Sequence, residues 1–505
     1  MKRHTSHTGI IAAASALWLA AAVSSCGAPG VPGDYADAGR RPAIHPDYSD
    51  LVVPRNIAPL NFRTEEPGES YVTLFRSDKN SEGFTVSGGA AADIPVDKWH
   101  RLLADADTVY ADVYVRSEGR WTRFETISNV VADSIDPYIS YRLIEPSYIS
   151  FENMAICQRN LENFEEEEIF GNQAMSTEDE GQCINCHSYQ DYNREGNMQM
   201  HVRLGFGGTL VCRGGVLRKI NLKTPETVSA GVYPSWHPTL PLIAYSNNTT
   251  SQSFHTRDIN KVEVQDASSD LILYDAERDA ISFISHEPQE LETFPYWHPD
   301  GKSLWYVSAR VPALSENEMN LYQSLNYEDF KYDLYRRSFD PSTRRFGSAD
   351  TVYRASADGK SVTLPRPSPD GRYLMFTLGS FGTFHIWHRD ADLYLLDTFS
   401  GEMRPLDELN SDNVESYHSW SSSGKWVIFS TRRDDGSYTR LYLSHLGADG
   451  RFSKPFVIPQ ASPDADMNLF KSYNIPEFML RPVEIGKAEF IEALEKDAVN
   501  VHLEN

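Results

Sequence analysis

Phe294-Pro295-Tyr296-Trp297-His298-Pro299-Asp300-Gly301-Lys302, followed at once by the β-rich run Leu304-Trp305-Tyr306-Val307-Ser308, is the stretch whose reading decides the fold. It recurs three times. Tyr233-Pro234-Ser235-Trp236-His237-Pro238 precedes Leu242-Ile243-Ala244-Tyr245-Ser246. Leu364-Pro365-Arg366-Pro367-Ser368-Pro369-Asp370-Gly371-Arg372 precedes Tyr373-Leu374-Met375-Phe376-Thr377. Tyr417-His418-Ser419-Trp420-Ser421-Ser422-Ser423-Gly424-Lys425 precedes Trp426-Val427-Ile428-Phe429-Ser430. Asp-Gly makes a tight turn, and the run after it reads as an inner strand buried on both faces. The next strand out opens on Asp270, Asp333 or Asp392, or on Arg440 in the last copy; these aspartates read as turn or strand-pairing residues. One such unit cannot bury its faces alone, so the copies must stack in a ring. With residues 205–225 and 455–480 completing one or two more units, the expectation is a β-propeller of about five or six blades over 205–482.

Outward from the ring, the chain reads as all-β. Residues 46–147 carry short β-like runs, such as Tyr71-Val72-Thr73-Leu74-Phe75 and Trp121-Thr122-Arg123-Phe124, and suggest a β-sandwich with Trp99 and Trp121 in its core. Residues 148–204 form a helix plus a motif segment. Met154, Ile156, Cys157, Leu161 and Phe164 lie at near-helical spacing over 148–172, and Glu165-Glu166-Glu167-Glu168 reads as a solvated helix face. Residues 483–505 are taken as a tail.

The start of the chain is an address rather than structure. Lys2 and Arg3 precede an apolar run over residues 10–23, and Val23-Ser24-Ser25-Cys26 matches a lipobox. The expectation is a signal over 1–25, lipidation at Cys26 and a flexible tether over 26–45. The alternative is an uncleaved membrane anchor. The protein would sit in the bacterial envelope, lipid-anchored to the outer membrane with the periplasmic side favoured. The net charge of −24, from 71 acidic and 47 basic residues, argues against nucleic acid.

Cys183-Ile184-Asn185-Cys186-His187 is the motif that carries chemistry. In an exported chain, C-x-x-C-H can tether haem c: two thiols add to the porphyrin vinyls and the imidazole ligates iron. His187 would then be the proximal metal ligand. Met198, Met200 and His201 follow closely, and Met200 or His201 is the candidate distal ligand. The alternatives are a Cys183–Cys186 disulfide and a zinc site, the latter lacking a second ligand pair. Of the remaining cysteines, Cys157 and Cys212 are a disulfide candidate, or else two buried free thiols. His237 and His298 occupy matching blade positions and are repeat features before they are ligands; His385, His388 and His418 lie at blade ends or loops. Trp387-His388-Arg389-Asp390 is a candidate lining of the channel mouth. No nucleophile elbow, phosphate-binding glycine loop or H-E-x-x-H is present, so no catalytic residue is assigned and neither nucleotide nor zinc is expected. Two functions follow. One is an electron carrier with covalent haem, docking an envelope redox partner through its propeller. The other is a haem-free propeller that binds an envelope protein or glycan.

The repeat units resemble the TolB-type six-bladed propeller repeat, W-S-P-D-G-K followed by a strand, across roughly residues 205–480. His237 and His298 depart from it where Ser is usual, and Ser422-Ser423 where Pro-Asp is usual. The whole arrangement is similar to exported proteins of Bacteroidetes-like bacteria that join a lipoprotein signal, a β domain, a C-x-x-C-H pentad and a TolB-like propeller. Asn56 to Phe62, Gln158-Arg159-Asn160, Cys183 to Ser188 and Ser472 to Phe478 carry that likeness, which implies architecture rather than activity.

Overall fold

The computed structural model describes residues 30–145, 152–175, 182–258, 260 and 262–504. Cys26 and the export signal lie outside them. Among the described residues no helix is long and apolar enough to cross a membrane.

Among the described residues six blades, each built on four strands, form a propeller. Blade 1 uses Tyr138–Ile144, Ala155–Asn160 and Glu166–Gly171, and its innermost strand is Ser472–Met479 from the far end of the chain. Blade 2 begins with Gln182–Tyr189, blade 3 with Val232–Trp236, blade 4 with Glu290–Trp297, blade 5 with Ser361–Pro367 and blade 6 with Glu415–Trp420. The ring therefore starts at Tyr138, not at 205, and the C-terminal strand closes it.

Three expectations change with that layout. The expected helix over 148–172 is a strand pair, because Ala155–Asn160 is buried on both sides and loses the alternation that marks a strand. Asn160 and Asn163 hold the hairpin turn by accepting from the backbone N–H of Glu162 and Glu165 at 2.8 and 2.7 Å. The acidic run is a solvated edge strand rather than a helix face. The strand after the turn of each repeat unit is the second strand of its blade; the innermost is the segment before the turn. That segment has a bulge with a left-handed residue at Tyr233, Phe294, Leu364, Tyr417 and Ile475, with φ between 47 and 54°.

The repeated histidines join blades. His237 of blade 3 donates from Nε2 to Gly301 O of blade 4 at 3.0 Å, while its Nδ1 accepts from Thr239 N and Leu240 N. A Cβ at Gly301 (φ +65°) would lie 2.6 Å from the His237 ring, so only glycine fits this turn. His298 meets Gly371 of blade 5 in the same way.

Beside the ring, residues 36–132 form a seven-stranded sheet with the helix Val96–Leu103 and the ribbon Ile44–His45/Arg63–Thr64. Part of the expected tether is therefore folded, with Ala36–Asp37 paired parallel to Arg120–Arg123. Trp99 is a core residue, 2% exposed. One hydrophobic core runs from this unit into blades 6 and 1, through Leu51, Trp426, Phe456 and Tyr473. Asp136 accepts from Ser422 N and Oγ at 2.7 and 2.6 Å, which fixes the unit to the blade 6 turn. The expected tail is also folded. Lys487–Glu495 is a helix, Val499–Asn500 extends blade 2 and His502–Leu503 extends blade 3.

Candidate functional site

The pentad lies in the innermost strand of blade 2, Gln182–Tyr189, the place that the bulged segment before the turn takes in blades 3 to 6. His187 pairs directly with Met200 on the neighbouring strand, so both side chains share one face. That face is the core between blades 1 and 2, which also holds Ile184, Tyr189 and Phe170. The His187 ring stands 5.9 Å from that of Tyr189 and is 2% exposed. Burial lowers its pKa to about 3, with the Arg142 charge adding to the effect and the Ile475 backbone opposing it; neither ring nitrogen makes a well-formed hydrogen bond. Asn185 and Cys186 form the bulge opposite His201, and Cys186 lines a channel cavity on the other face. Cys183 precedes Ile184 and pairs with Arg203, which lines the same cavity, so its thiol shares that side.

Thiols and imidazole thus point to opposite faces of one strand. A haem joined to both thiols would carry its iron on the cavity side, away from His187. Met200 is a cross-strand neighbour of His187, leaving no gap between them for a porphyrin. His201 hydrogen-bonds Thr209 Oγ1 at 3.2 Å through Nδ1, and burial lowers its pKa to about 3. The pentad as folded does not fit a haem bound through Cys183, Cys186 and His187 with Met200 or His201 opposite. All four described cysteines are free thiols. Cys157 and Cys212 sit in different cores, so the expected bridge between them is not formed. Burial pushes the Cys157 thiol up to about 12 and raises Cys212 as well. Among the described residues no group of three or more His, Cys, Asp or Glu could hold a metal.

What the strand does line is a cavity of about 620 Å³ at the end of the channel away from the Asp-Gly turns. Arg142 of blade 1 donates to Asn185 Oδ1. Arg203 is the next-to-last residue of the second strand of blade 2, Met198–Leu204, and is exposed. Arg432 follows the second strand of blade 6, its guanidinium 4.1 Å over the Trp387 ring. None of the three pairs with a carboxylate among the described residues, and the Nε atoms of Arg142 and Arg432 are buried without a partner. Burial lowers the Arg432 pKa to about 10, partly offset by Asp435. Glu145 is the cavity's acidic lining residue; Tyr233, Phe384, Trp387, Tyr417 and Tyr438 present rings.

The long hairpin of blade 3, Leu242–Phe254 with Val262–Asp275, reaches over this cavity and contributes Thr250, Ser251 and Gln252. Its far arm is held by a buried pair, His388 Nε2 to Glu263 Oε2 at 2.8 Å. The stretch at 387–390 divides accordingly: Trp387 lines the mouth and His388 lies beneath it as the latch. His385 donates from Nε2 to Phe381 O at 3.1 Å and His418 from Nε2 to Met375 O at 3.0 Å, so both serve as internal ties. Sequence reasoning missed the three arginines. Each stands alone in a different blade, and only ring closure brings them together.

No family model matches the chain, and no curated protein does. Solved structures do match. A puromycin hydrolase is 12% identical with a TM-score of 0.36, over 63% of this chain and 52% of its own. Prolyl oligopeptidase B from Galerina marginata is 8% identical with a TM-score of 0.33, over 70% and 50%. A periplasmic gluconolactonase from Pseudomonas aeruginosa is 12% identical with a TM-score of 0.28, over 80% and 99%. The chain spans about half the length of the first two. These likenesses concern propeller architecture, which the strand pairing establishes by itself.

Proposed function

We propose that the chain is a ligand-binding propeller of the bacterial envelope, lipid-anchored through Cys26, that holds an acidic saccharide in the arginine-lined cavity. The carrying observation is local charge inversion. In a chain of net charge −24, one cavity gathers a buried Arg142, a half-buried Arg432 and an exposed Arg203, none of them ion-paired among the described residues. An unpaired guanidinium in a buried wall is costly unless an anion meets it, and its planar fork suits carboxylate or sulfate. Trp387 and Tyr417 offer flat faces to a sugar ring, while Thr250, Ser251 and Gln252 offer hydroxyl and amide partners. A recessed cavity of about 620 Å³, open at the channel mouth, suits a small molecule or a chain end better than a flat protein surface. The residues bind and orient; no nucleophile or acid–base pair is assigned.

Calorimetric titration of the full chain with oligogalacturonate tests the proposal. Binding is expected to weaken with added salt, and Arg432→Met to lower affinity by about tenfold or more, as for loss of a charge-assisted bond. Equal binding of a neutral galactan fragment, or none of either, contradicts it.

A second reading is electron transfer by a covalent haem with an envelope redox partner. It draws support from the two unpartnered nitrogens of His187 beside a cavity that Cys186 lines. It requires strand Gln182–Tyr189 to turn His187 through to the cavity face when the thioethers form. A pyridine haemochrome spectrum of protein made alongside haem-attachment machinery separates it from the first.

A further inference from the structure

At the opposite, turn-side mouth of the channel lies a second cavity of about 300 Å³. Tyr417 and Ile475 line both cavities and form the waist between them. We infer that this turn-side cavity is a separate binding site for a small monocarboxylate, anchored on Arg366 with Glu477 as its second hydrogen-bonding partner.

Arg366 comes from the innermost strand of blade 5, and its guanidinium lies 4.2 Å over the Tyr296 ring of blade 4. Among the described residues its one side-chain hydrogen bond goes to Pro365 O at 3.2 Å, on its own chain neighbour. No carboxylate among the described residues pairs with it, so most of the fork is left for a ligand. Glu477 comes from the closing strand of blade 1 and lines the same space. Burial raises its pKa to about 7, with Arg366 and the Tyr189 backbone opposing the rise. Below that pH it is a neutral acid that donates a hydrogen bond to a bound carboxylate; above it, a second negative charge repels the ligand. The groups facing Glu477 are Arg366 of blade 5, Tyr296 of blade 4, and Tyr189 and Tyr192 of blade 2.

The floor of the cavity is built at a cost. Asp191, Tyr192 and Asn193 are consecutive non-glycine residues in left-handed conformation, with φ of 45, 56 and 60°. Each such residue stores of order 1 kcal/mol. Asn193 Nδ2 holds the turn by donating to Arg481 O and Pro482 O at 3.0 and 3.2 Å, and Leu480 N donates to Tyr192 O at 2.8 Å. The outcome is that Tyr192 lines the same cavity as Arg366 and Glu477.

The test titrates the full chain with acetate, lactate and gluconate, and with neutral glucose as control, near pH 5.5 and near pH 8.5, either side of the Glu477 transition. One or more of the carboxylates is expected to bind at least about tenfold more tightly at the lower pH, by the loss of one repulsive charge. Arg366→Met is expected to abolish that binding while leaving oligogalacturonate binding in place. Glu477→Gln is expected to keep carboxylate binding and remove its pH dependence, which also covers the case of a misfolded Arg366 variant. Absence of carboxylate binding, equal binding of glucose, or an unchanged pH profile in Glu477→Gln overturns the inference.

Discussion

Arg432 gives up stability to keep a charge in the wall. Its guanidinium is stacked on Trp387, its Nε is unpartnered, and its pKa is depressed. Methionine of similar length keeps the apolar contacts and sheds the buried charge. Arg432→Met is therefore expected to be more stable than the parent by about 1–2 kcal/mol, read as a higher denaturant midpoint, while binding the acidic saccharide more weakly. A lower midpoint contradicts this. Asp266, under the long hairpin, has its pKa raised to about 7 by burial, against hydrogen bonds from Thr250 and Asn248 at 2.6 and 2.8 Å. The folded chain holds that proton where the unfolded chain has lost it, between about pH 4 and about pH 7. Stability from this group is thus full below that window and lost as pH rises through it. In Asp266→Asn that part of the slope is expected to vanish when thermal midpoints are compared across the window; an unchanged slope contradicts the assignment. At this scale the sequence was only partly legible. Cys183 to His187 reads as a haem tether because five residues match a motif. Laid on Gly231 to Ser235, the same five residues are the bulged inner strand of a blade, with Cys186 in the place of Pro234.

The far arm of the blade 3 hairpin is tied to blade 5 by the buried His388–Glu263 pair, beside a second buried bond from Gln323 to Asp266 O. Removing the carboxylate in Glu263→Ala leaves His388 Nε2 unsatisfied in the interior, at a cost of about 2 kcal/mol. Faster amide exchange confined to residues 250–266 is the expected outcome; a uniform rise over the whole ring, or none, contradicts the latch. Gly382 marks the same spot, since a Cβ there would lie 2.7 Å from Glu263 Oε1. Element types were legible wherever one face meets solvent or a turn residue punctuates the run. Ala155–Asn160 was misread because burial on both faces erases the period of two. The strands at 499–500 and 502–503 were illegible because they exist only as additions to the edges of blades 2 and 3.

For the whole molecule, closure is the controlling feature. Ser472–Met479 completes blade 1 from the opposite end of the chain, pairing with Tyr138–Ile144. A chain ending at residue 471 leaves blade 1 without its innermost strand, and the core shared with the N-terminal sheet without Tyr473 and Phe478. It is expected to lose cooperative unfolding altogether, whereas retention of a sharp calorimetric transition contradicts the closure. The propeller itself was legible from four repeat units, three of them with an Asp-Gly or Ser-Gly turn, but the first two blades were not, since neither carries that repeat.

The account turns on which way the blade 2 strand faces, and intact mass spectrometry reads that most directly. The native protein should be purified from cells that attach haem to exported C-x-x-C-H proteins, then weighed before and after alkylation of unfolded thiols. The expected result is a polypeptide without porphyrin mass, in which Cys183 and Cys186 both take up the label. A mass raised by one porphyrin, with those two thiols blocked, contradicts the binding propeller described above.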